Sequence, residues 1–248
     1  MKLPWAVFLA ALKIQVATND VNINGFLNML VAARDCKVKR FIFATSSSVY
    51  GNNTELPKKE EYIGKPLSPY ALTKCVNELY AGVFAKTYGI EYIGLRYFNV
   101  FGRRQDPDSL YAAVIPLFIK QYMKHKQPQI NGNGQNTRDF TYIDNVIYMN
   151  MLALNTTNPS AVNQIYNTAG GECISINQLA FDVKSCLLQY DSSIFDINPI
   201  YGECRIVDIP HSFACIDKAK RLLNYSPLVS FQKGLKETIN WYVNNQVR

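Results

Sequence analysis

The stretch Phe41-Ile-Phe-Ala-Thr-Ser-Ser-Ser-Val-Tyr-Gly51, followed by Tyr70-Ala-Leu-Thr-Lys74, decides the reading of this chain. Residues 41–44 read as a buried strand that ends in a cluster of hydroxyls. Tyr70 and Lys74 are four apart, which puts a phenol and an ammonium on one face of a helix. A lysine beside a tyrosine favours the phenolate and is expected to lower the tyrosine's pKa. A neighbouring serine hydroxyl can then relay or share the proton.

Such a trio suits deprotonation of a sugar hydroxyl while a hydride leaves the same carbon. A nicotinamide cofactor that takes the hydride needs a glycine-rich turn after its first strand, with the pyrophosphate at a helix N-terminus. The first glycine of this chain is Gly25, and neither Gly-x-x-Gly-x-x-Gly nor Gly-x-Gly-x-x-Gly occurs anywhere in it. The sequence thus carries catalytic residue types without the phosphate cradle they serve.

Outward from that stretch, strands and helices alternate. Residues 7–11 read as a strand, 21–36 as a helix with Phe26, Leu27, Leu30 and Val31 on one side, and 57–69 as a loop. Pro69 suits the first turn of a helix that Gly89 stops after Tyr88. A strand follows at 91–96. This pattern predicts a parallel sheet with helices on both faces. Beyond Gly102 the expectation is helices at 112–124, 143–154, 176–188, 217–223 and 235–244, a strand at 164–168 and extended chain at 195–199. Asn-Gly-Asn-Gly occupies 131–134.

At 248 residues the chain can bury a large core as one domain or two modest ones. Its net charge of +7 is scattered rather than clustered, and no nucleic-acid motif accompanies it, so nucleic acid is not an expected partner. Six cysteines without a Cys-x-x-Cys pair, and only two histidines, argue for free thiols and no metal site. The apolar run at 3–12 is too short to span a bilayer and reads as a buried strand rather than a signal peptide. No membrane association is expected, and the cytoplasm is the expected location.

Four motifs now carry a resemblance: Asn22-Ile-Asn-Gly-Phe-Leu-Asn-Met-Leu30, Gly64-Lys-Pro-Leu-Ser-Pro-Tyr-Ala-Leu-Thr-Lys74, Leu95-Arg-Tyr-Phe-Asn-Val-Phe-Gly-Arg-Arg-Gln-Asp-Pro107 and Arg138-Asp-Phe140. The chain resembles extended short-chain dehydrogenase/reductases of the NAD-dependent epimerase/dehydratase family, and within it the UDP-N-acetylglucosamine 4-epimerase group of surface-polysaccharide pathways. The resemblance implies an α/β fold: a Rossmann-like parallel sheet lacking its first strands, with a smaller C-terminal α+β substrate lobe. Residues 1–102, with elements within 143–170, would form the partial NAD-binding domain, and 103–248 mainly the nucleotide-sugar lobe. The family's opening strands would lie before Met1, roughly two to three βαβ units at about 30 residues each.

The same resemblance assigns roles. Tyr70 is similar to the base that takes the O4 proton, Lys74 to the residue that holds the nicotinamide ribose, and Ser46 to the catalytic Ser or Thr. Asn22 and Tyr97 would border NAD. Ser48, Asn99, Val114, Arg138, Arg205, Asp208 and Ser212 would line the substrate, with Arg138 and the Arg205–Asp208 pair as diphosphate and ribose clamps. The 204–210 stretch departs from the family's Arg-x-Gly-Asp-x-Arg/Lys, with Val207 for the glycine and Pro210 for the base. Ser47 and Ser48 stand where dehydratases of the family carry Asp-Glu, which favours epimerisation. Ser212 would be a small gatekeeper beside the sugar C2, and His211 a structural neighbour. The implied activity is NAD-dependent 4-epimerisation of a UDP-N-acetylhexosamine or its uronic-acid form, by a homodimer packed through helices 21–36 and 69–88. The missing cradle predicts weak NAD binding. It also keeps open an inactive fragment, or a remnant that binds nucleotide sugars without turning them over.

Overall fold

The computed structural model describes residues 15–108, 113–204 and 209–245. The strand expected at 7–11 lies outside them. A first short helix α1 (Gln15–Asn19) runs through one π-helical turn (Asp20–Asn24) into α2 (Gly25–Asp35), so the helix expected at 21–36 begins earlier than its apolar periodicity indicates.

Three parallel strands form the sheet at the centre of the N-terminal half: β1 (Arg40–Ser46), β2 (Glu91–Tyr97) and, further along the chain, Gln164–Thr168, in that spatial order. Helix α3 (Pro69–Tyr88) lies between β1 and β2 in sequence. Its ends follow the chemistry expected of them. The Ser68 hydroxyl accepts from the Ala71 N–H, Pro69 takes the first turn, and Gly89 closes the helix in the left-handed conformation at φ +72°. Gly51 ends the hydroxyl turn at φ +51°, where a Cβ would sit 1.9 Å from the Lys65 carbonyl oxygen, so only glycine fits.

Strand alternation sorts the core. On one face of β1, Phe41 and Phe43 pack on Phe26 of α2, with ring centroids 5.7 and 4.9 Å away. On the opposite face, Ile93 and Leu95 of β2 and Tyr166 are fully buried in a cluster with Met149 and Ala153. Those two belong to α5 (Ile143–Asn155), and the same cluster takes in Ala219 and Leu223 of α7 (Asp217–Leu223).

A second cluster builds the other half. It joins Phe101 of β3 (Val100–Phe101), α4 (Val114–Met123), α6 (Ile176–Leu187) and α8 (Phe231–Asn244). The sheet strand Gln164–Thr168 is β7, and around the second cluster run very short strands: β4 (Gln129–Asn131), β5 (Thr137–Arg138), β6 (Thr141–Tyr142), β8 (Ile174–Ser175), β9 (Ile200–Gly202) and β10 (His211–Ser212). Extended chain was expected at 195–199. A 3-10 turn at Ser192–Ile194 instead precedes it, and pairing begins at Ile200, which joins β4. α8 begins at Phe231, one turn before the expected start, with the Ser230 hydroxyl as its cap.

Where the sheet meets α3, a buried ion pair fixes the helix. Arg96 forks onto Glu78 at 3.0 and 2.7 Å, and both side chains are at least nine-tenths buried. Thr45, the β1 residue in register with Arg96, donates to the same carboxylate at 2.7 Å. Glu78→Ala would leave the guanidinium buried without its counter-charge. A loss of about 3–5 kcal/mol is expected, read as a lowered midpoint in urea unfolding.

Candidate functional site

The carboxyl ends of β1 and β2 lie side by side, with Ser46 in register with Tyr97. Ser46 opens the 3-10 turn Ser47–Tyr50, its hydroxyl accepting from the Ser48 N–H at 3.2 Å and from the Ser48 hydroxyl at 3.0 Å. The run of serines is thus a built turn in which the Ser48 N–H and hydroxyl both bond the Ser46 oxygen.

Tyr70, Lys74 and Glu78 follow one another at intervals of four along α3 and so share a face. Glu78 ties that face to the strand ends. Lys74 Nζ donates to the Ala44 carbonyl at 3.1 Å and stands 5.8 Å from the centre of the Tyr70 ring. The Ser46 side chain lies near enough to draw on the Tyr70 phenol, so the trio comes together as a group. The expected pKa does not follow. Burial pushes the Tyr70 phenol up, and Ser46 draws it only part of the way back. Burial also pushes Lys74 down. Adjacency to lysine was expected to lower the tyrosine; desolvation raises it instead, and the opposing pull comes from Ser46 rather than from Lys74.

Asn22 donates to the Thr73 hydroxyl at 3.0 Å, between Tyr70 and Lys74. Tyr97 exchanges hydrogen bonds with Asn150 of α5 at 3.0 and 3.2 Å. These residues, with Ser48, make one group around the sheet's carboxyl edge.

A second group sits on the lobe strands. β10 pairs in parallel with β5, which puts Ser212 opposite Arg138. The Arg138 guanidinium donates to the Thr137 and Pro210 carbonyls at 2.8 and 3.2 Å. His211 shares a 2.9 Å hydrogen bond with the Thr137 hydroxyl. Asn99, held at φ +28°, links the groups by donating to the Asp139 carbonyl at 2.9 Å. Val114 is buried at the start of α4, within the lobe core. Arg205 and Asp208 lie outside the described residues.

Three residues of the surroundings escaped the sequence reading. Glu78 and Asn150 anchor Arg96 and Tyr97, and Arg96 in an apolar strand was the available sign that a buried acid must face it. Asp139, beside Arg138 in the Arg-Asp-Phe motif, is fully buried. Burial pushes its carboxyl up to about 7, against three backbone N–H donors that favour the anion and with the Glu172 charge adding to the rise.

A nicotinamide ribose has hydrogen-bonding groups to meet at Tyr70, Lys74 and Asn22. The diphosphate end does not: among the described glycines before β1 there is only Gly25, which lies in a helix with a Cβ position that meets nothing closer than 3.7 Å. The residues present fit one end of the cofactor and not the other. Among the described residues no group of three or more His, Cys, Asp or Glu could hold a metal ion, and no helix is long and apolar enough to cross a membrane.

The sequence profile of the NAD dependent epimerase/dehydratase family matches residues 9–169. The chain belongs to that family. A UDP-glucuronate 4-epimerase of Thermodesulfobacterium geofontis is 34% identical over 227 residues, which cover 91% of this chain and 66% of that protein. The solved UDP-N-acetylglucosamine 4-epimerase of Methanobrevibacter ruminantium, in complex with UDP-N-acetylmuramic acid, superposes at a TM-score of 0.88 with 35% identity. That match covers 96% of this chain and 74% of the other. A Bacillus cereus UDP-glucuronic acid 4-epimerase, solved with UDP-glucuronic acid and NAD, superposes at 0.78 with 33% identity, over 90% of this chain and 68% of its own. The family is NAD-dependent, and the fold is its Rossmann-like α/β arrangement.

The raised Asp139 carboxyl gives a stability signature. The folded chain holds a proton there that the unfolded chain releases near the ordinary carboxylate pKa. The stability it contributes is therefore present below that ordinary value and lost as pH rises towards about 7. Relative to Asp139→Asn, the wild-type melting temperature should fall between about pH 4.5 and 7.5 and then level off, as thermal melts of both proteins across that range would read.

Proposed function

We propose that this chain acts on a UDP-hexose as a 4-epimerase, an isomerase, with a UDP-N-acetylhexosamine or its uronic-acid form as the substrate and surface-polysaccharide synthesis as its setting. The observation that carries the reading is the convergence of Ser46, Tyr70 and Lys74 on the carboxyl end of β1, in a chain whose relatives are named as such enzymes.

On this reading Tyr70 takes the proton from the sugar O4, and Ser46 beside the phenol shares it. Lys74 holds the nicotinamide ribose and keeps positive charge beside the phenol. When bound, NAD would supply a reversible hydride acceptor at C4, so that Tyr70 gives the proton back to O4 as the hydride returns to the opposite face of the sugar. Tyr97 and Asn22 close the nicotinamide side, and Arg138 with Asn99 faces the diphosphate. Ser48, Val114, Arg205 and Asp208 complete the proposed substrate wall. Ser47 and Ser48 put no carboxylate beside the sugar, which suits epimerisation rather than water elimination. A cytoplasmic homodimer accompanies this reading. Exposed apolar Met29 of α2 and Leu72, Leu79 and Val83 of α3 suit packing between copies along those helices.

Turnover is tested by supplying the chain with excess NAD and UDP-N-acetylglucosamine and following the 4-epimer by NMR. Slow conversion that Tyr70→Phe abolishes is expected, with UDP-sugar binding retained in the variant. Unchanged conversion in Tyr70→Phe would show that another group is the base. Binding of the sugar nucleotide with no conversion at any NAD concentration would instead favour a chain that binds nucleotide sugars without turning them over.

Substrate range is the second test. Ser212 leaves volume beside C2, and a tyrosine ring there would collide with an acetamido group. Overpacking of that kind costs about 1–3 kcal/mol, or roughly tenfold and more in discrimination. The N-acetylated pair should be preferred over UDP-glucose and UDP-galactose, and Ser212→Tyr should reverse the order in kcat/KM. An unmoved ratio removes Ser212 as gatekeeper.

A further inference from the structure

We propose that Asp139 is a positioning residue: a buried clasp that holds the β5–β10 strand pair and Asn99 against the carboxyl end of the sheet, and so sets Arg138 and Ser212 for the sugar nucleotide. The inference rests on the substrate reading above for what those residues face, but the clasp itself stands on geometry.

Asp139 is entirely buried and makes a contact with every atom that can make one. Oδ1 accepts from the Gly170 N–H at 2.8 Å. Oδ2 accepts from the Gly171 N–H at 3.0 Å and the Ala214 N–H at 3.3 Å. Its carbonyl accepts from the Asn99 side chain at 2.9 Å, and its N–H donates to the Ser212 carbonyl at 2.9 Å. Four chain segments therefore meet on one residue: the end of β2, the end of β7, β5 and β10.

The lobe strands need such a tie. β5 and β10 share a two-residue ladder, too short to hold its own register. Successive glycines at 170 and 171 let the backbone reach the carboxylate. Gly171 adopts φ +75°, and a Cβ on Gly170 would come within 3.3 Å of Oδ1 and of the Phe140 carbonyl. The clasp also spans both halves of the molecule, since β7 belongs to the central sheet while Arg138 and Ser212 belong to the lobe. Both oxygens accept, so an isosteric amide fails here: its NH2 must face a backbone donor.

Hydrogen exchange on the 248-residue chain and on Asp139→Asn tests the clasp without any ligand. Amides of Gly170, Gly171, Ala214 and Thr137 should exchange at least tenfold faster in the variant, while Ile93 and Leu95 of β2 keep their protection. Equal acceleration everywhere would mean a stability residue only, and no acceleration at the clasp would mean no clasp; either overturns the proposal. The link to the site is read by titrating UDP-N-acetylglucosamine into wild type, Asp139→Asn, Arg138→Gln and the double variant. Asp139→Asn should weaken binding about tenfold alone and less than threefold when Arg138 is already Gln, because it acts through that residue. Losses that multiply in the double variant overturn the proposal. A wild-type chain that binds no UDP-sugar would instead refute the substrate reading, and the exchange pattern would still decide whether Asp139 holds the strands.

Discussion

Arg96 stands on the face of β2 turned toward α3, and its guanidinium closes on Glu78 while Thr45 of β1 bonds the same carboxylate. Two adjacent strand ends and one helix are thereby pinned at a single buried point. Because Glu78 lies four and eight residues beyond Lys74 and Tyr70, pinning it rotates both toward the strand ends. Eight helical residues span about 12 Å, which carries the phenol from the level of the ion pair to the hydroxyl turn. The network continues beneath it. Arg96 also donates to the Glu60 carbonyl, and its guanidinium lies 4.9 Å from the Tyr50 ring centre. Tyr50 in turn donates to Asn167 of β7 at 2.6 Å. Every strand of the sheet is thus tied to the layer under the candidate base.

That layer explains the electrostatics above it. A half-buried phenol and ammonium packed against a hydrogen-bonded floor both shift toward their neutral forms, one up and the other down. Spacing alone gave the opposite direction for Tyr70, because spacing reports which groups are neighbours and not how much water they retain. The Ser46 side chain is the contribution that still favours the anion. Ser46 ends β1 and opens the 3-10 turn at once, which keeps it at the sheet edge beside α3.

The large periodic elements were legible in the residues themselves. Pro69 and Gly89 bracket α3 through a fixed φ and a left-handed cap, and β1, β2 and β7 stand out as short β-branched and aromatic stretches between helices. What was not legible is short or long-range. β5, β6, β8 and β10 hold two residues each, which no periodicity can reveal. The extension of the first helix to Gln15 runs over polar residues and a π-turn, with no buried side chain to mark it. Arg138 stands out through the family motif that carries it, whereas Asp139, its neighbour, gains its part only from Gly170, Gly171 and Ala214, all more than thirty residues away.

The two halves of the molecule differ in how they hold their site residues. Around β1 and α3, side chains are set by continuous strands and a twenty-residue helix. In the lobe, the core of α4, α6 and α8 is well buried, but the strands that face the sheet are fragments lying on its rim. Fragments of that length take their position from what they are tied to. β5 is tied to β8 on one side and β10 on the other, and β10 continues into Phe213–Cys215, whose backbone pairs with Lys58 in the loop ahead of α3. The loop returns to the sheet through Glu60, which accepts from the Asn167 N–H at 2.9 Å. A sugar nucleotide bridging Tyr70 and Arg138 would therefore rest on two supports that share one anchor, the end of β7. Asn167 binds the loop, and two residues beyond β7 the Gly170–Gly171 amides bind Asp139. Small shifts of β7 relative to β2 would move the lobe donors against the base, so the three-strand register, more than any single contact, sets how closely the two groups can act together.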